Sequence, residues 1–219
     1  MRTFVLALVF SLIAVSAKGD LLLDLQYTDG STHKIVNSGD VVMVDLILVD
    51  PSDDTFISAE GLATGGGAVV QTGGVAAVAS SAAPVQAVPF DPLFTVGGPA
   101  IATPRPGLVD AVIVGSIVPA GLGASSVVLA TFSFVATGTV AETATLTADV
   151  LEPGLPGLGN TTFTSGTDLD ALLTDLAATP ANFGSVTLEI AAVPEPSTIV
   201  MGLLIAGGLV WRRRKAASA

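Results

Sequence analysis

Apolar and polar residues alternate in short segments along much of the chain, and clusters of turn-forming residues separate these segments. The strongest segment is the β-branched run Val41–Val49, which lies between Ser38-Gly39-Asp40 and Asp50-Pro51-Ser52-Asp53-Asp54. Branched side chains favour a pleated, half-buried strand, and both flanking clusters are typical of turns. The same pattern predicts further core strands at 108–118, 127–135, 140–150 and 185–192. Phe132 and Phe134 are two positions apart and therefore share one face of their strand.

Two other segments have weaker patterns. Leu21–Tyr27 alternates in part and is followed by Asp29-Gly30, which predicts a hairpin into Thr32–Asn37. The stretch from Ala63 to Pro106 is low in charge and rich in Gly, Ala, Val and Pro, so we expect one or two short strands between long loops. Within it, Gly65-Gly66-Gly67 lacks the Gly-Lys-Ser/Thr of a phosphate loop and is expected to be a flexible turn.

One segment has the pattern of a helix. Thr167 fits an N-cap, Asp168 and Asp170 fall in the first turn, and Leu169, Leu172, Leu173 and Leu176 share a face. Many short strands, frequent turns and no βαβ alternation predict a mainly β protein, a two-sheet antiparallel sandwich with this one short helix.

The N-terminus has the three parts of a secretory signal peptide. Met1-Arg2-Thr3 is positive, Phe4–Val15 is apolar, and Val15-Ser16-Ala17 is a small-residue cleavage pattern. We expect a signal helix at 1–17 and cleavage between Ala17 and Lys18. The alternative is an uncleaved anchor, and in both cases the chain from about residue 18 to 195 is exported.

The C-terminus, 193–219, also has three parts in order. Val193-Pro194-Glu195-Pro196 is an extended, donor-poor segment that presents Glu195 on accessible chain. Residues 199–211 are apolar and predict a transmembrane helix of roughly 20 Å, at about 1.5 Å per residue, against a hydrocarbon core of about 30 Å. A basic cytoplasmic end completes the tail: Arg212, Arg213, Arg214 and Lys215. Residues 18–192 then form one exported domain.

This exported domain is strongly acidic. From Gly19 to Val193 there are eighteen acidic residues against Lys34 and Arg105, a net charge of −16. Such a domain repels nucleic acid and anionic headgroups, so no nucleic-acid partner is expected. Cations and neutral glycans stay possible as partners.

Catalytic chemistry has little support in the sequence. His33 is the single histidine and lies in a predicted edge strand, and no Gly-x-Ser-x-Gly elbow occurs. The chain has no cysteine, which disfavours zinc and leaves no redox chemistry. We therefore expect neither an enzyme nor a cofactor.

Calcium is the one metal that the acidic residues could bind. Two groups offer hard oxygen ligands: Asp50, Asp53 and Asp54 in one turn, and Asp168 with Asp170 at the predicted helix start. Neither group matches an Asp-x-Asp-x-Asp-Gly loop. This mismatch favours solvated acids in a turn for the first group and helix-capping charges for the second. Asn160-Thr161-Thr162 fits a glycosylation sequon and is expected in an exposed loop.

The tail, from Val193 to Lys215, resembles the PEP-CTERM sorting signal of exported proteins in Gram-negative bacteria. The resemblance implies recognition of Pro194-Glu195-Pro196 by an exosortase, after signal peptidase has acted and while the chain is held in the inner membrane. Release into the cell envelope or the extracellular matrix would follow. A plain C-terminal anchor, which would retain 199–219, is the competing interpretation.

The domain itself is similar, more distantly, to cohesin-like or carbohydrate-binding sandwiches of immunoglobulin-like architecture, through Ser38–Leu46 and Val128–Phe134. It has one tyrosine, Tyr27, and no tryptophan, so no aromatic platform for a glycan accompanies the fold. We expect an exported, non-enzymatic cell-surface or biofilm-matrix protein. The alternatives are a cohesin-like module that binds exopolysaccharide or another surface protein, and a hydrolase of unrecognised family.

Overall fold

Strands dominate the computed structural model, which describes residues 21–49, 62–87, 90, 95–115, 125–152, 162–163 and 180–191. In these residues the strands are β1 Leu22–Tyr27, β2 His33–Val36, β3 Val41–Val49, β4 Leu62–Gly74, β5 Ala77–Gln86, β6 Val96–Gly97, β7 Leu108–Gly115, β8 Ser126–Thr137, β9 Thr143–Asp149, β10 Thr162–Phe163 and β11 Ser185–Ile190. Two short 3₁₀ turns, Pro99–Ile101 and Pro180–Asn182, complete the described elements.

The strands form two sheets that pack face to face. One sheet has four strands in the order β1-β3-β8-β5, and all its pairs are antiparallel. The other has seven, in the order β2-β11-β9-β4-β7-β6 with β10 beside β4. Among the paired strands of the described residues, β2 and β11 alone run parallel. The predicted two-sheet sandwich is confirmed, with one pair departing from antiparallel pairing.

The core lies between the sheets and contains residues from both. Phe132 and Phe134 are fully buried, and their rings stack with centroids 5.7 Å apart. They face leucines of the opposite sheet such as Leu146 and Leu188, also fully buried. Burying one such side chain stabilises the fold by about 1.5–3 kcal/mol. Alternation along β8 and β9 therefore positions the two sheets against each other.

The predicted strands are confirmed in the described residues. β3 has the predicted bounds, β8 is longer than expected, and β7 and β11 cover most of their segments. β9 starts at Thr143 rather than Val140, because Ala141 has a positive φ of 64° and belongs to the preceding turn. The predicted helix at 167–176 lies outside the described residues.

The predicted hairpin at Asp29-Gly30 is wrong. β1 pairs with β3 in one sheet, whereas β2 pairs in parallel with β11 in the other, so the chain changes sheet and continues in the same direction. Tyr27 stabilises this change of sheet, because its side chain reaches from β1 to the opposite sheet. Its ring is buried, and its hydroxyl donates to the Thr187 carbonyl of β11 over 3.1 Å. Gly30, with a φ of 81°, allows the tight loop at this point.

The expectation of one or two short strands between Ala63 and Pro106, and of a flexible turn at Gly65-Gly66-Gly67, is also wrong. This region forms β4, the longest described strand, and β5. A Cβ atom at Gly65 would lie 2.7 Å from a Leu129 methyl, and one at Gly67 would lie 2.9 Å from methyls of Leu23 and Leu46. These glycines are buried strand positions at which the opposite sheet approaches closely.

Candidate functional surfaces

The end of the last strand defines one end of the sandwich. β11 lies between β9 and β2 and ends at Ile190, and the Ala191 N–H still donates to the Val36 carbonyl over 2.7 Å. The connections 37–40, 75–76 and 138–142 lie at the same end, because each joins two strands of opposite direction there. We call these three connections together with Ala191 the tail-exit end.

Hydrogen bonds join the parts of the tail-exit end. The Gly138 N–H donates to Ser38 Oγ over 3.2 Å, which links two of the connections. The Ala141 N–H donates to the Ile190 carbonyl over 2.9 Å, which links a connection to β11. The tail therefore leaves from an ordered surface.

Large apolar side chains are concentrated around this end. Among the described residues, seven large apolar residues are exposed, and four of them lie here. Ile35 and Val41, on the adjoining strands, are 61% and 60% exposed, and Val75 and Val140, in the connections, are 76% and 56% exposed. Connections usually carry Gly, Asn, Asp or Ser, so two exposed valines are an uncommon choice for these positions.

The acidic residues of the connections are held by local hydrogen bonds. The Asp40 carboxylate accepts the N–H and the side-chain amide of Asn37, each over 2.9 Å. The Glu142 carboxylate accepts the Thr139 N–H over 2.7 Å, and this bond lowers the pKa of Glu142. These two acids thus fix the turns in place.

The outer face of the four-stranded sheet is the second candidate surface. Its residues form three cross-strand rows, Val41-Val135-Ala79, Met43-Ser133-Ala82 and Asp45-Thr131-Val85. Met43 is 46% exposed and Val85 60%. Asp45 is the one charged residue of the three rows, and its carboxylate accepts the Thr131 hydroxyl over 2.5 Å. The face is thus mostly small and uncharged on a domain that is otherwise acidic.

The outer face of the seven-stranded sheet is partly covered by the chain itself. A second apolar cluster forms there, where Ala102 packs on Ala68, Ala111 and Leu151. Arg105 follows in this covering segment.

Arg105 holds the covering segment to the end of β9. Its guanidinium lies 3.0 Å from the carboxylate of Asp149, with side-chain exposures of 14% and 6%. It also donates to the carbonyls of Val150 over 2.6 Å and Leu151 over 3.1 Å.

A buried carboxylate joins the two sheets at another point. Asp110 in β7 is 1% exposed and accepts the Ser80 hydroxyl of β5 over 2.6 Å and the Ala111 N–H over 2.8 Å. Neither Asp110 nor the Arg105–Asp149 pair was identified as notable from the sequence. The signal available in the sequence was a single acidic residue in each segment. Asp110 lies within the apolar run 108–115, and Asp149 ends the segment 143–149.

His33, the one candidate for acid–base chemistry, lies at an open position. It is on β2, which is confirmed as an edge strand, and its Nε2 lies 3.7 Å from the Glu189 carboxylate of β11. Its side chain is 54% exposed, so the pair is a surface contact.

Several predicted residues lie outside the described ranges. They are the calcium candidates Asp50, Asp53, Asp54, Asp168 and Asp170, the cleavage residues Ala17 and Lys18, the sorting residues Val193, Pro194, Glu195 and Pro196, and the basic end Arg212, Arg213, Arg214 and Lys215. Within the described ranges, acids and His33 do not gather in any group of three suited to a metal ion. Nor does the described part of the chain contain a helix of the length and apolarity needed to cross a bilayer.

Asp29 gives a pH-dependent contact that can be tested. Its carboxylate accepts the Ser31 hydroxyl over 2.6 Å, the Ser31 N–H over 3.0 Å and the Lys34 ammonium over 3.0 Å. These hydrogen bonds lower the pKa of Asp29 to about 2, and the bond from the Ser31 hydroxyl has the largest effect. Because the folded pKa is below the unfolded value, the contact favours folding above about pH 4 and is lost as the pH falls through about 2.

We expect Ser31→Ala to raise the pKa of Asp29 more than Lys34→Met does, because the Ser31 hydroxyl, at 2.6 Å, is the nearest donor to this carboxylate and the largest single cause of its lowered pKa. Carboxyl-carbon chemical shifts followed against pH by NMR measure both values. A larger rise in Lys34→Met would show that the ammonium charge, and not the serine, sets this pKa.

Comparison with known proteins identifies the tail. Residues 192–215 match the PEP-CTERM protein-sorting motif, which confirms the resemblance seen in the sequence. A motif of this kind points to an exported protein that an exosortase sorts. No curated protein matches the chain.

Two solved cohesin structures are similar in fold to the strand-rich part. The third cohesin of ScaC from Acetivibrio cellulolyticus, solved with the ScaB dockerin, is 15% identical, with a TM-score of 0.46 over 78% of this chain and 99% of that one. The sixth cohesin of scaffoldin B from the same organism, solved with a Cel5 dockerin, is also 15% identical, with a TM-score of 0.38 over 78% and 98%. A likeness this distant assigns no partner to this chain.

Proposed function

We propose that this chain is an exported, non-enzymatic protein of the cell surface or extracellular matrix, held at the inner membrane by its tail and sorted by an exosortase. The observation that carries the proposal is the position of the sorting motif. The motif starts at residue 192, directly after Ala191 is fixed to β2, so the sorting signal adjoins the folded domain without a linker.

Each part of the tail has a physical role in this proposal. Signal peptidase removes 1–17 by cutting between Ala17 and Lys18. The apolar segment 199–211 then stops in the bilayer, and the basic end, 212–215, stays in the cytoplasm. Pro194 and Pro196 keep the intervening chain extended, which presents Glu195 to the processing enzyme.

The described acids support a structural role for the domain. Asp110 bonds Ser80 across the two sheets, and Asp149 holds Arg105 against the end of β9. These carboxylates stabilise the sandwich itself. With a net charge of −16 from Gly19 to Val193, the domain suits a neutral exopolysaccharide or another surface protein as partner, and its work would be adhesion or matrix structure.

The test is a double substitution in the full chain, Pro194→Ala with Pro196→Ala, made in a host that has the exosortase. We expect export to continue and the unprocessed protein to accumulate in the inner membrane, with loss of the surface form. Intact mass of the membrane and surface fractions measures both species.

The matched control is Pro104→Ala with Pro106→Ala, because Pro104-Arg105-Pro106 is a second Pro-x-Pro sequence and both prolines are exposed. The control protein should be processed normally. Normal release of the Pro194/Pro196 variant would rule out sorting through this signal.

A further inference from the structure

We propose that the tail-exit end rests on the outer surface of the inner membrane while the tail is inserted, with Val75 and Val140 in the boundary between headgroups and acyl chains. This inference rests on the proposed function, because it needs the tail as an anchor. It adds an interaction surface on the folded domain and a defined partner, the lipid bilayer.

The length of the connecting chain limits the distance to the membrane. Residues 192–198 separate Ala191, the last described residue, from the predicted start of the apolar span at Ile199. The eight steps from Ala191 to Ile199 extend at most about 29 Å, at about 3.3–3.6 Å each. The tail-exit end is thus held close to the bilayer whenever the span is inserted.

The direction of the strands determines which surface faces the bilayer. β11 and β2 both run toward the tail-exit end, and Ala191 is fixed to β2 by its hydrogen bond. The connections 37–40, 75–76 and 138–142 consequently lie between the sandwich and the membrane, whereas the opposite end of the strands points away.

The side chains at this end suit the membrane boundary. Val75 and Val140 lie in two connections and are 76% and 56% exposed, so most of their apolar surface is open to solvent. Val140 precedes Ala141, whose N–H donates to the Ile190 carbonyl, and the Val75 N–H donates to Thr143 of β9, the neighbour of β11. Apolar side chains placed at the headgroup boundary bind a bilayer in proportion to the apolar area they bury.

The charges at this end indicate which lipids fit. The three connections contain Asp40 and Glu142 and neither Lys nor Arg. An anionic headgroup would repel these carboxylates, whereas a zwitterionic headgroup would not. The structure therefore favours a zwitterionic bilayer surface.

The experiment uses the full chain in vesicles of zwitterionic phosphatidylcholine. Because the chain has no cysteine, Val140→Cys gives a single site for a polarity-sensitive fluorophore. Val96→Cys is the matched control, since Val96 is 53% exposed, close to the 56% of Val140, but lies on β6 away from the tail-exit end. Circular dichroism checks that each labelled chain keeps its strand content.

We expect blue-shifted emission and strong quenching by lipids with brominated acyl chains at position 140, with neither effect at position 96. Adding anionic phosphatidylglycerol should reduce the quenching at position 140. If the chain floats with the vesicles but both positions give the same solvent-like emission, the inference is wrong while the sorting proposal stands. If the chain does not float at all, the tail is no anchor and both fail.

Discussion

Arg105→Met is expected to lower the free energy of unfolding by about 3–5 kcal/mol, which is the cost of removing one partner from a buried ion pair. The substitution removes the cation 3.0 Å from the Asp149 carboxylate, which is 6% exposed. It also removes the donors to the Val150 and Leu151 carbonyls. Urea unfolding followed by circular dichroism measures the change.

Lys34→Met is the matched control, because Lys34 and Arg105 are the two basic residues between Gly19 and Val193. The Lys34–Asp29 distance is also 3.0 Å, but the side chains are 36% and 53% exposed. Solvent screens this pair, so we expect a much smaller loss than for Arg105→Met. Equal losses in the two variants would show that burial of the Arg105–Asp149 pair does not determine its contribution.

Gly74→Ala is expected to destabilise the protein by about 2–5 kcal/mol, which combines a left-handed backbone with overpacking. Gly74 has a φ of 82°, and a Cβ atom there would collide with the Thr143 carbonyl oxygen. This oxygen cannot move freely, since it accepts the N–H groups of Val75 and Ala76 over 2.9 and 3.0 Å. The substitution thus disrupts a connection of the tail-exit end.

Gly73→Ala provides the control one residue earlier in the same strand. A Cβ at Gly73 would lie 3.6 Å from Thr145 Oγ1, which is ordinary van der Waals contact. We expect a change within about 1 kcal/mol, since the added methyl costs no steric strain and restricts the unfolded chain. Thermal and urea unfolding of both variants test the contrast, and a Gly73→Ala loss as large as that of Gly74→Ala would contradict this explanation.

The fold was predictable where branched and aromatic side chains alternate. β3 follows directly from the run Val41–Val49, and β8 from Phe132 and Phe134. β4 was not predictable, because Gly65 and Gly67 have low strand propensity and are also typical of loops. This segment is a strand because it pairs with β7 and β9, whose residues lie far away in sequence.

The functional features divide in a similar way. The sorting tail could be predicted from the sequence, because a sorting signal of this kind is defined by the order of short neighbouring segments. Residues 192–215 match the expected motif. The tail-exit end could not be predicted from the sequence, because the strand topology determines which connections lie beside Ala191. The direction of β2 was decisive here, and Asp29-Gly30 had predicted the opposite direction for that strand.

The position of β11 between two neighbours also determines how the domain responds to force. A pull on the tail, away from the sandwich, acts along the axis of β11, which pairs with β9 on one side and β2 on the other. The backbone hydrogen bonds on both sides then carry the load together in shear, instead of opening one after another as in peeling. Resistance to such a pull is set by the rate of forced unfolding. While the tail remains attached, the strand nearest the anchor is thus the one best placed to withstand mechanical load.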